Sequence, residues 1–354
     1  MQKSLRRAII THMGEENLYI NVKNRICDAI FNGTYKEGER IPAERILAEE
    51  LDVSRVTLRK ALALLEEDNL IVREVGSGTR ICFHNYGTAG SMDMIVLIAP
   101  AKNPFFSEFI AHFQMYAEQK GSMLLYVEKP HRESLESCLY RLYKRGLQNV
   151  AVWLEDLPVD IEKLKRLRAL GMNMVFFDTD KGIPYADCVA LDNNRAICEI
   201  YQKLRESGYT DIGYAGWDRS DIYSIGGREK AYLEISGKKE IFLRLPWECR
   251  NSSCNFVLQR LNAFKGELPQ AIICGDRESG MVVSSAAGRL KLQMQIASVD
   301  DFPEARKRHV ITYVQNLKEC VRQIYECLQE QNQKGIHWVS DVYLKNGGYK
   351  NGIQ

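Results

Sequence analysis

Seven short apolar runs, residues 94–99, 123–127, 150–154, 174–177, 212–215, 241–245 and 271–274, punctuate the chain beyond residue 93. Most are separated by stretches in which apolar residues recur at helical spacing. This alternation restricts the fold more than any other feature, because parallel strands need a long crossover and a helix supplies it. The expected result is a parallel α/β sheet with helices on both faces and strands buried on both sides. In such sheets ligands bind beyond the carboxyl ends of the strands, so the residues that follow each run are the candidates for function.

Those residues are polar and aromatic. Asn103, Phe105 and Phe106 follow the first run, Asp178 the fourth, Trp217 and Asp218 the fifth and Asp276 the last, while Asp300 and Asp301 form another carboxylate pair. Carboxylates accept pairs of hydroxyl hydrogen bonds, arginine donates a planar fork, and aromatic faces stack on the apolar side of a sugar ring. The set suits a carbohydrate. Aspartate at a strand end also commonly caps the next helix, so each of these residues carries both readings.

The first 82 or so residues have another texture, three short helices and a hairpin. Val22, Ile26, Ala29 and Ile30 recur at helical spacing and Asn32-Gly33 supplies a stop. A second helix over residues 43–51 turns Ile46, Leu47 and Leu51 inward. After Asp52-Val53-Ser54, a third helix over 55–68 is capped by Ser54 and carries one apolar stripe, Leu58, Ala61, Leu62 and Leu65. This is helix-turn-helix spacing, with Arg55, Thr57, Arg59 and Lys60 at the end able to enter a major groove. Arginine forks suit guanine and phosphate, and threonine suits phosphate and the thymine methyl. Residues 70–75 and 79–81 flank Gly76-Ser77-Gly78 as a hairpin wing, with Arg73 and Arg80 available to phosphate. Residues 84–91 are small and polar, as in a linker.

The order Gly38-Glu39-Arg40-Ile41-Pro42-Ala43-Glu44-Arg45, Val53-Ser54-Arg55-Val56-Thr57-Leu58-Arg59 and Gly76-Ser77-Gly78-Thr79 resembles the winged helix-turn-helix of GntR-family bacterial regulators over about residues 18–82. The resemblance implies that Arg45, Arg55, Thr57, Arg59 and Gly78 contact double-stranded operator DNA. Ala43 stands where that family usually has serine, which removes a cap from the second helix. Asn69 stands where it usually has glycine, and asparagine tolerates the left-handed conformation.

Over roughly residues 93–345, Asn103-Pro104-Phe105-Phe106, Val175-Phe176-Phe177-Asp178, Asp192-Asn193, Arg228-Glu229-Lys230-Ala231-Tyr232, the segment from Ala271 to Asp276, Asp300-Asp301 and Ile311-Thr312-Tyr313-Val314 look like the effector domain of lac/galactose repressors, itself similar to periplasmic sugar-binding proteins. This resemblance implies two lobes closing on a small ligand, with Phe105 or Phe106, Asp178, Arg228, Trp247, Asp276 and Asp300 as contacts. Gly275 stands where that family often has asparagine, and Ala231 where it has glycine. The combination is similar to the arabinose repressors of some bacteria, which implies a pentose or deoxyhexose.

The expected organisation is a winged helix-turn-helix domain over 14–82, a linker over 83–92, and an effector-binding and dimerisation domain over 93–354. Forty-eight Lys and Arg against 46 Asp and Glu give a formal charge of +2, so any basic surface must be local. No run approaches the roughly 18–20 apolar residues that span a bilayer, and no signal core follows the first basic residues, so the expected location is the cytoplasm. The ten cysteines are scattered without C-x-x-C spacing, so reduced thiols and no metal site are expected. No cofactor and no catalytic residue is assigned: P-loop, H-E-x-x-H and G-x-S-x-G patterns are absent. The sequence is thus expected to encode a homodimeric repressor of a carbohydrate-utilisation operon, released from a palindromic operator by a small sugar. A sugar-phosphate enzyme, or a ligand sensor without operator binding, are the alternatives.

Overall fold

The computed structural model describes residues 18–74, 78–83, 92–100, 104–128, 132–153, 158–248, 253–264, 267–334 and 342–345. The wing tip at 75–77, the linker at 84–91, Asn103, Leu154 and the side chain of Phe105 lie outside them. The chain divides into two compact units, Met1–Phe177 with Lys181–Cys188 and Ile324–Asp341, and Asp178–Asp180 with Val189–Gln323 and Val342–Gln354.

The first unit begins with a winged helix-turn-helix. Helix α1 spans residues 18–32, buries Val22, Ile26, Cys27 and Ile30, and stops at Gly33, whose φ of +77° is the left-handed geometry a helix end favours. Helix α2 (Glu44–Leu51) starts at Ala43 with no side-chain cap and buries Leu47 and Ala48. Ile46 does not turn inward as the spacing suggested. It is 43% exposed, because eight residues make two turns and the stripe centres on Leu47 and Ala48. In α3 (Arg55–Glu67) the Ser54 hydroxyl accepts the Thr57 amide at 3.1 Å, and Leu58, Ala61, Leu62 and Leu65 are all buried. Asn69, at φ +57°, turns the chain into the hairpin of β1 (Ile71–Glu74) and β2 (Gly78–Ile81), paired with Ile71 opposite Ile81.

The rest of this unit alternates β3 (Met94–Ala99), α4 (Pro104–Gln119), β4 (Met123–Glu128), α5 (Leu135–Tyr143), β5 (Asn149–Trp153), α6 (Ile161–Ala169) and β6 (Asn173–Phe177). Its strands are parallel in the order β6-β5-β3-β4, with β7 (Asp187–Leu191) next to β6. The second unit holds α7 (Asn193–Glu206), β8 (Ile212–Trp217), α8 (Tyr223–Ser236), β9 (Leu243–Leu245), α9 (Ser253–Ala263), β10 (Ala271–Cys274), α10 (Arg277–Leu290), β11 (Gln295–Val299) and β12 (Ile311–Tyr313). These strands lie in the order β12-β11-β10-β8-β9, each pair parallel. The alternating runs thus form two parallel sheets, in keeping with the two-lobed α/β domain that the resemblance implied. Helix α11 (Leu317–Lys334) starts in the second unit and ends in the first.

Strands β7, β11 and β12 are additions to the seven runs. Strand β7 opens on a buried aspartate, Asp187, and β11 contains the small residues Ala297 and Ser298. Strand β12 is three residues long, so none of them forms an apolar run. Strand β9 begins at Leu243 rather than at Ile241.

Within the first unit the helix-turn-helix is seated on α5 and α6. The rings of Phe31 and Tyr140 stack with centroids 4.1 Å apart, and the Tyr140 hydroxyl donates to Asp28 at 2.7 Å, where Lys144 also bonds at 3.2 Å. Lys165 meets Glu37 at 2.6 Å, and Arg166 reaches the Phe31 carbonyl at 3.4 Å. Buried side chains from both parts form one continuous apolar cluster. Truncating Tyr140, which is 6% exposed, removes a stacked ring and a hydrogen bond at the centre of this seat. Tyr140→Ala should cost about 3–5 kcal/mol and split off an earlier helix-turn-helix transition in calorimetry. An unchanged single melting profile would refute the seat.

Candidate functional site

Two sets of side chains stand out, one on the helix-turn-helix and one in the second unit. On the first, Arg55 is exposed as the opening residue of α3, and Arg45, Asp52, Ser54 and Arg55 line one shallow depression. Arg45 bonds Glu49 at 3.0 Å, and Arg59 bonds Glu44 at 2.7 Å. The Thr57 hydroxyl lies 2.8 Å from that of Ser54. On the wing, Arg73 pairs with Glu66 and Arg80 with Glu74, both at 3.3 Å. Gly78 has φ +93° with open space where a Cβ would be, so backbone conformation rather than crowding favours glycine there. Exposed pairs of this kind are worth about 0–1 kcal/mol, so the arginines can exchange glutamate for phosphate at little cost.

In the second unit the centre is Arg228, 5% exposed on α8. Its Nε donates to Asn193 Oδ1 at 2.7 Å and its Nη1 to the Gly275 carbonyl at 2.8 Å, which fixes the fork between α7 and the end of β10. Asp178 and Asp300, each just past a strand, adopt φ values of +55° and +66°. Left-handed backbone costs a non-glycine residue about 1–2 kcal/mol, and backbone bonds to Val189 and Tyr313, both 2.8 Å, hold these turns. Gln315 donates to Asp300 at 2.7 Å, whereas Asp178 Oδ1 is buried without a hydrogen-bond partner among the described residues.

Both carboxyls keep a little solvent exposure although protein surrounds them. Burial pushes each up to about 6, against the pull of the Arg228 guanidinium and of hydrogen bonds from Ser224 to Asp178 and from Gln315 to Asp300. Asp276 resolves its double reading in favour of a cap. Its Oδ1 accepts the Ser279 amide and hydroxyl, both at 2.7 Å, in a capping box on α10, and its Oδ2 accepts Trp217 Nε1 at 2.6 Å. Trp247 lies edge-on to Trp217 with centroids 5.8 Å apart, and its amide donates to Asp218 at 2.8 Å.

The second unit therefore brings Asp178, Arg228, Asp276 and Asp300 into one electrostatic cluster and ties Trp247 to it through Trp217. Phe106 belongs to the first unit. There it is 2% exposed and packs edge-on against Trp153 at 3.9 Å, in a group with Phe109 and Phe177. Sequence reasoning gave no role to Ser279 or Gln315, and it read Asn193 only as part of a run. Their signal is geometric, since each is identified by the group it holds. Among the described residues no cluster of metal-binding side chains occurs, and no helix is long and apolar enough to cross a membrane.

Two family models match, and they divide the chain between them. Residues 18–81 fit the bacterial regulatory proteins of the gntR family, and residues 91–323 fit the periplasmic binding proteins and sugar binding domain of the LacI family. The chain belongs to the LacI-type periplasmic-binding family. It carries a GntR helix-turn-helix in front of that domain. Over 62 residues it is 42% identical to the probable fructoselysine utilization operon transcriptional repressor of Escherichia coli K12, covering 18% of this chain and 26% of that protein. Over 74 residues it is 42% identical to the histidine utilization repressor of Pseudomonas putida, covering 20% and 30%. The chain thus spans less than a third of the length of these relatives. Among solved structures, the lac repressor dimer bound to operator and an anti-inducer superposes with a TM-score of 0.58 at 14% identity, over 71% of this chain and 91% of that one. The trehalose repressor from Escherichia coli gives 0.58 at 18% identity, over 72% and 98%. At these identities the likeness establishes the LacI-type fold.

Because Asp178 and Asp300 titrate higher in the native protein than in the unfolded chain, their contribution to stability is full below about pH 4 and is lost as pH rises through about 6. Asp300→Asn should therefore raise the melting temperature at pH 7.5, with the gain shrinking toward pH 4. A difference independent of pH would contradict the burial of this carboxylate.

Proposed function

We propose that the protein is a homodimeric transcriptional regulator, a repressor, that holds a palindromic operator through its helix-turn-helix and is released by a small sugar bound at the Arg228 cluster. The observation that carries this reading is the union in one chain of a GntR match over 18–81 and a LacI sugar-binding match over 91–323. The exposed end of α3 supports the DNA half. Arg45, Arg55, Thr57 and Arg59 gather at the start of the helix that would enter the major groove, and Gly78 borders the wing tip that would approach the backbone. A two-fold dimer reads a palindrome because each half-site meets the same surface.

The polar cluster supports the sensing half. A fixed guanidinium fork, two carboxylates able to accept hydroxyl protons and a tryptophan face are what a polyhydroxylated ring binds. A pentose or deoxyhexose is the proposed effector, the compartment is the cytoplasm, and no bond is made or broken. The effector shifts DNA affinity only by its differential affinity for competent and incompetent arrangements, a coupling of typically about 1–3 kcal/mol.

The test pairs two variants with two assays. Arg55→Ala with Arg59→Ala should weaken binding of the protein's own upstream region at least about 30-fold in gel shift, since each base-reading arginine contributes about 1–3 kcal/mol. The melting shift with a responding monosaccharide should survive. Arg228→Lys keeps the charge but loses the fork to Asn193 and Gly275, and should abolish that shift while sparing DNA binding. A sugar at 100 times its dissociation constant adds about 2.7 kcal/mol to the wild type. Wild-type protein that ignores a full monosaccharide panel, or ignores duplex DNA, would overturn the reading.

A further inference from the structure

At the carboxyl edge of the second sheet, two neighbouring strand ends carry glycine where one tyrosine side chain takes up the room. Tyr214, in the middle of β8, is 1% exposed, and its ring stacks on Tyr232 with centroids 5.0 Å apart. A Cβ on Gly216 would stand 2.6 Å from Tyr214 Cε1, and a Cβ on Gly275 would stand 2.4 Å from the Tyr214 hydroxyl. Both distances are far below ordinary contact, so the phenol occupies the position from which a side chain at 275 would project. Gly275 is also the residue whose carbonyl accepts Arg228 Nη1.

The hydroxyl placed there is buried and has no hydrogen-bond partner among the described residues. The nearest charges are those of Arg228, Asp276 and Glu229, and burial raises the phenol well above its usual range, so it stands as a neutral donor. Phenylalanine would fill the same space without a polar atom to desolvate, and a buried hydroxyl left unpaired is a net cost to folding. A site shaped to hydrogen-bond a ligand hydroxyl has this property when empty of it, and it discriminates strongly against analogues that lack the group.

We propose that Tyr214 is a further specificity-determining residue of the Arg228 cluster: its hydroxyl, standing in for the missing side chain at Gly275, pairs with one hydroxyl oxygen of the bound sugar. This rests on the sugar-sensing reading above. The cluster then selects the sugar that carries this oxygen over the deoxy analogue that lacks it.

The experiment compares Tyr214→Phe with wild type by thermal shift and calorimetric titration. The probes are D-ribose, L-arabinose, L-rhamnose and L-fucose, each paired with its analogues deoxygenated at one further carbon. The expected result is a melting temperature for Tyr214→Phe no lower than wild type, an affinity for the preferred sugar reduced at least tenfold, and loss of the preference within that pair. A residue with a merely structural part would lower the melting temperature and leave the preference intact. A second cycle tests the geometry without any sugar. Gly275→Ala should destabilise the Tyr214 protein more than the Tyr214→Phe protein, because the new Cβ meets the hydroxyl at 2.4 Å but ring Cζ at 3.2 Å. Sugar binding in wild type with an unchanged preference in Tyr214→Phe overturns this inference alone. Indifference of wild type to the full monosaccharide panel overturns the sugar-sensing reading and this inference with it. Additive effects in the cycle overturn the placement of the hydroxyl.

Discussion

The second unit is organised around one buried guanidinium. Taking the Arg228 charge out of water is expensive unless its donors are met and opposite charge stands nearby. Asn193 and the Gly275 carbonyl meet two donors, and Asp178 and Asp300 supply the charge. These four come from separate parts of the chain, the start of α7, the end of β10 and the turns after β6 and β11. Arg228 therefore fixes how the strand ends are arranged as much as it offers a fork to a ligand. The left-handed backbone at Asp178 and Asp300 is part of the same bargain, since it is what turns each carboxylate off its strand. Burial raises both acids to about 6, so each is mostly ionised near physiological pH and its charge carries a desolvation cost, which the neighbouring guanidinium offsets in part.

A different kind of constraint governs the first unit. The helix-turn-helix shares its apolar core with α5 and α6, and the polar contacts of Asp28, Glu37 and the Phe31 carbonyl ring that core. All of these contacts engage α1 and the turn after it. The start of α3, with Arg55 exposed, is untouched by them. One face of this small domain is consumed by attachment and the other is left for a partner. Its orientation within the first unit is then set by packing against α5 and α6, and a packed core of this type has discrete arrangements rather than a continuous range.

The elements that sequence made legible are those with local causes. Helix α3 is periodic, capped by Ser54 and gathers Leu58, Ala61, Leu62 and Leu65 on one buried side, so each signal agrees. The missing cap at Ala43 and the left-handed turn at Asn69 are equally local, and both are present. Ile46 was misjudged because a two-turn helix has room for a narrow buried face, and only the packing of α2 on α3 determines which residues lie on it. Strands β7, β11 and β12 escaped because a buried charge, small residues and brevity dilute their apolar signal. The charge in β7 has a distant cause: Asp187 is bonded by Gln331, 144 positions away, which also exchanges bonds with Met174 and Arg168. Nothing near Asp187 in the sequence announces Gln331. The candidate cluster was legible by residue type, since Asp178, Arg228 and Asp300 meet, and the cap at Asp276 is local, but the bond from Trp217 to Asp276 and the duty of Asn193 as a clamp appear only when chain segments come together.

The glycine at 275, where this chain departs from the LacI-type pattern, fits one packing solution. Gly275 lacks a side chain because the Tyr214 phenol fills that volume, and any Cβ there would meet the hydroxyl. Ala231, 2% exposed, lies on α8 in the same buried cluster as Tyr214 and Tyr232. A large ring at 214 must be accommodated by neighbours on both sides, because an interior packed to crystal density has no spare volume for it. Glycine at 216 and 275 concedes space at the strand ends. The glycine at 275 is thus the counterpart of a polar aromatic residue placed inside a parallel sheet, and the same placement brings a hydroxyl to a position that a side chain at 275 would otherwise occupy.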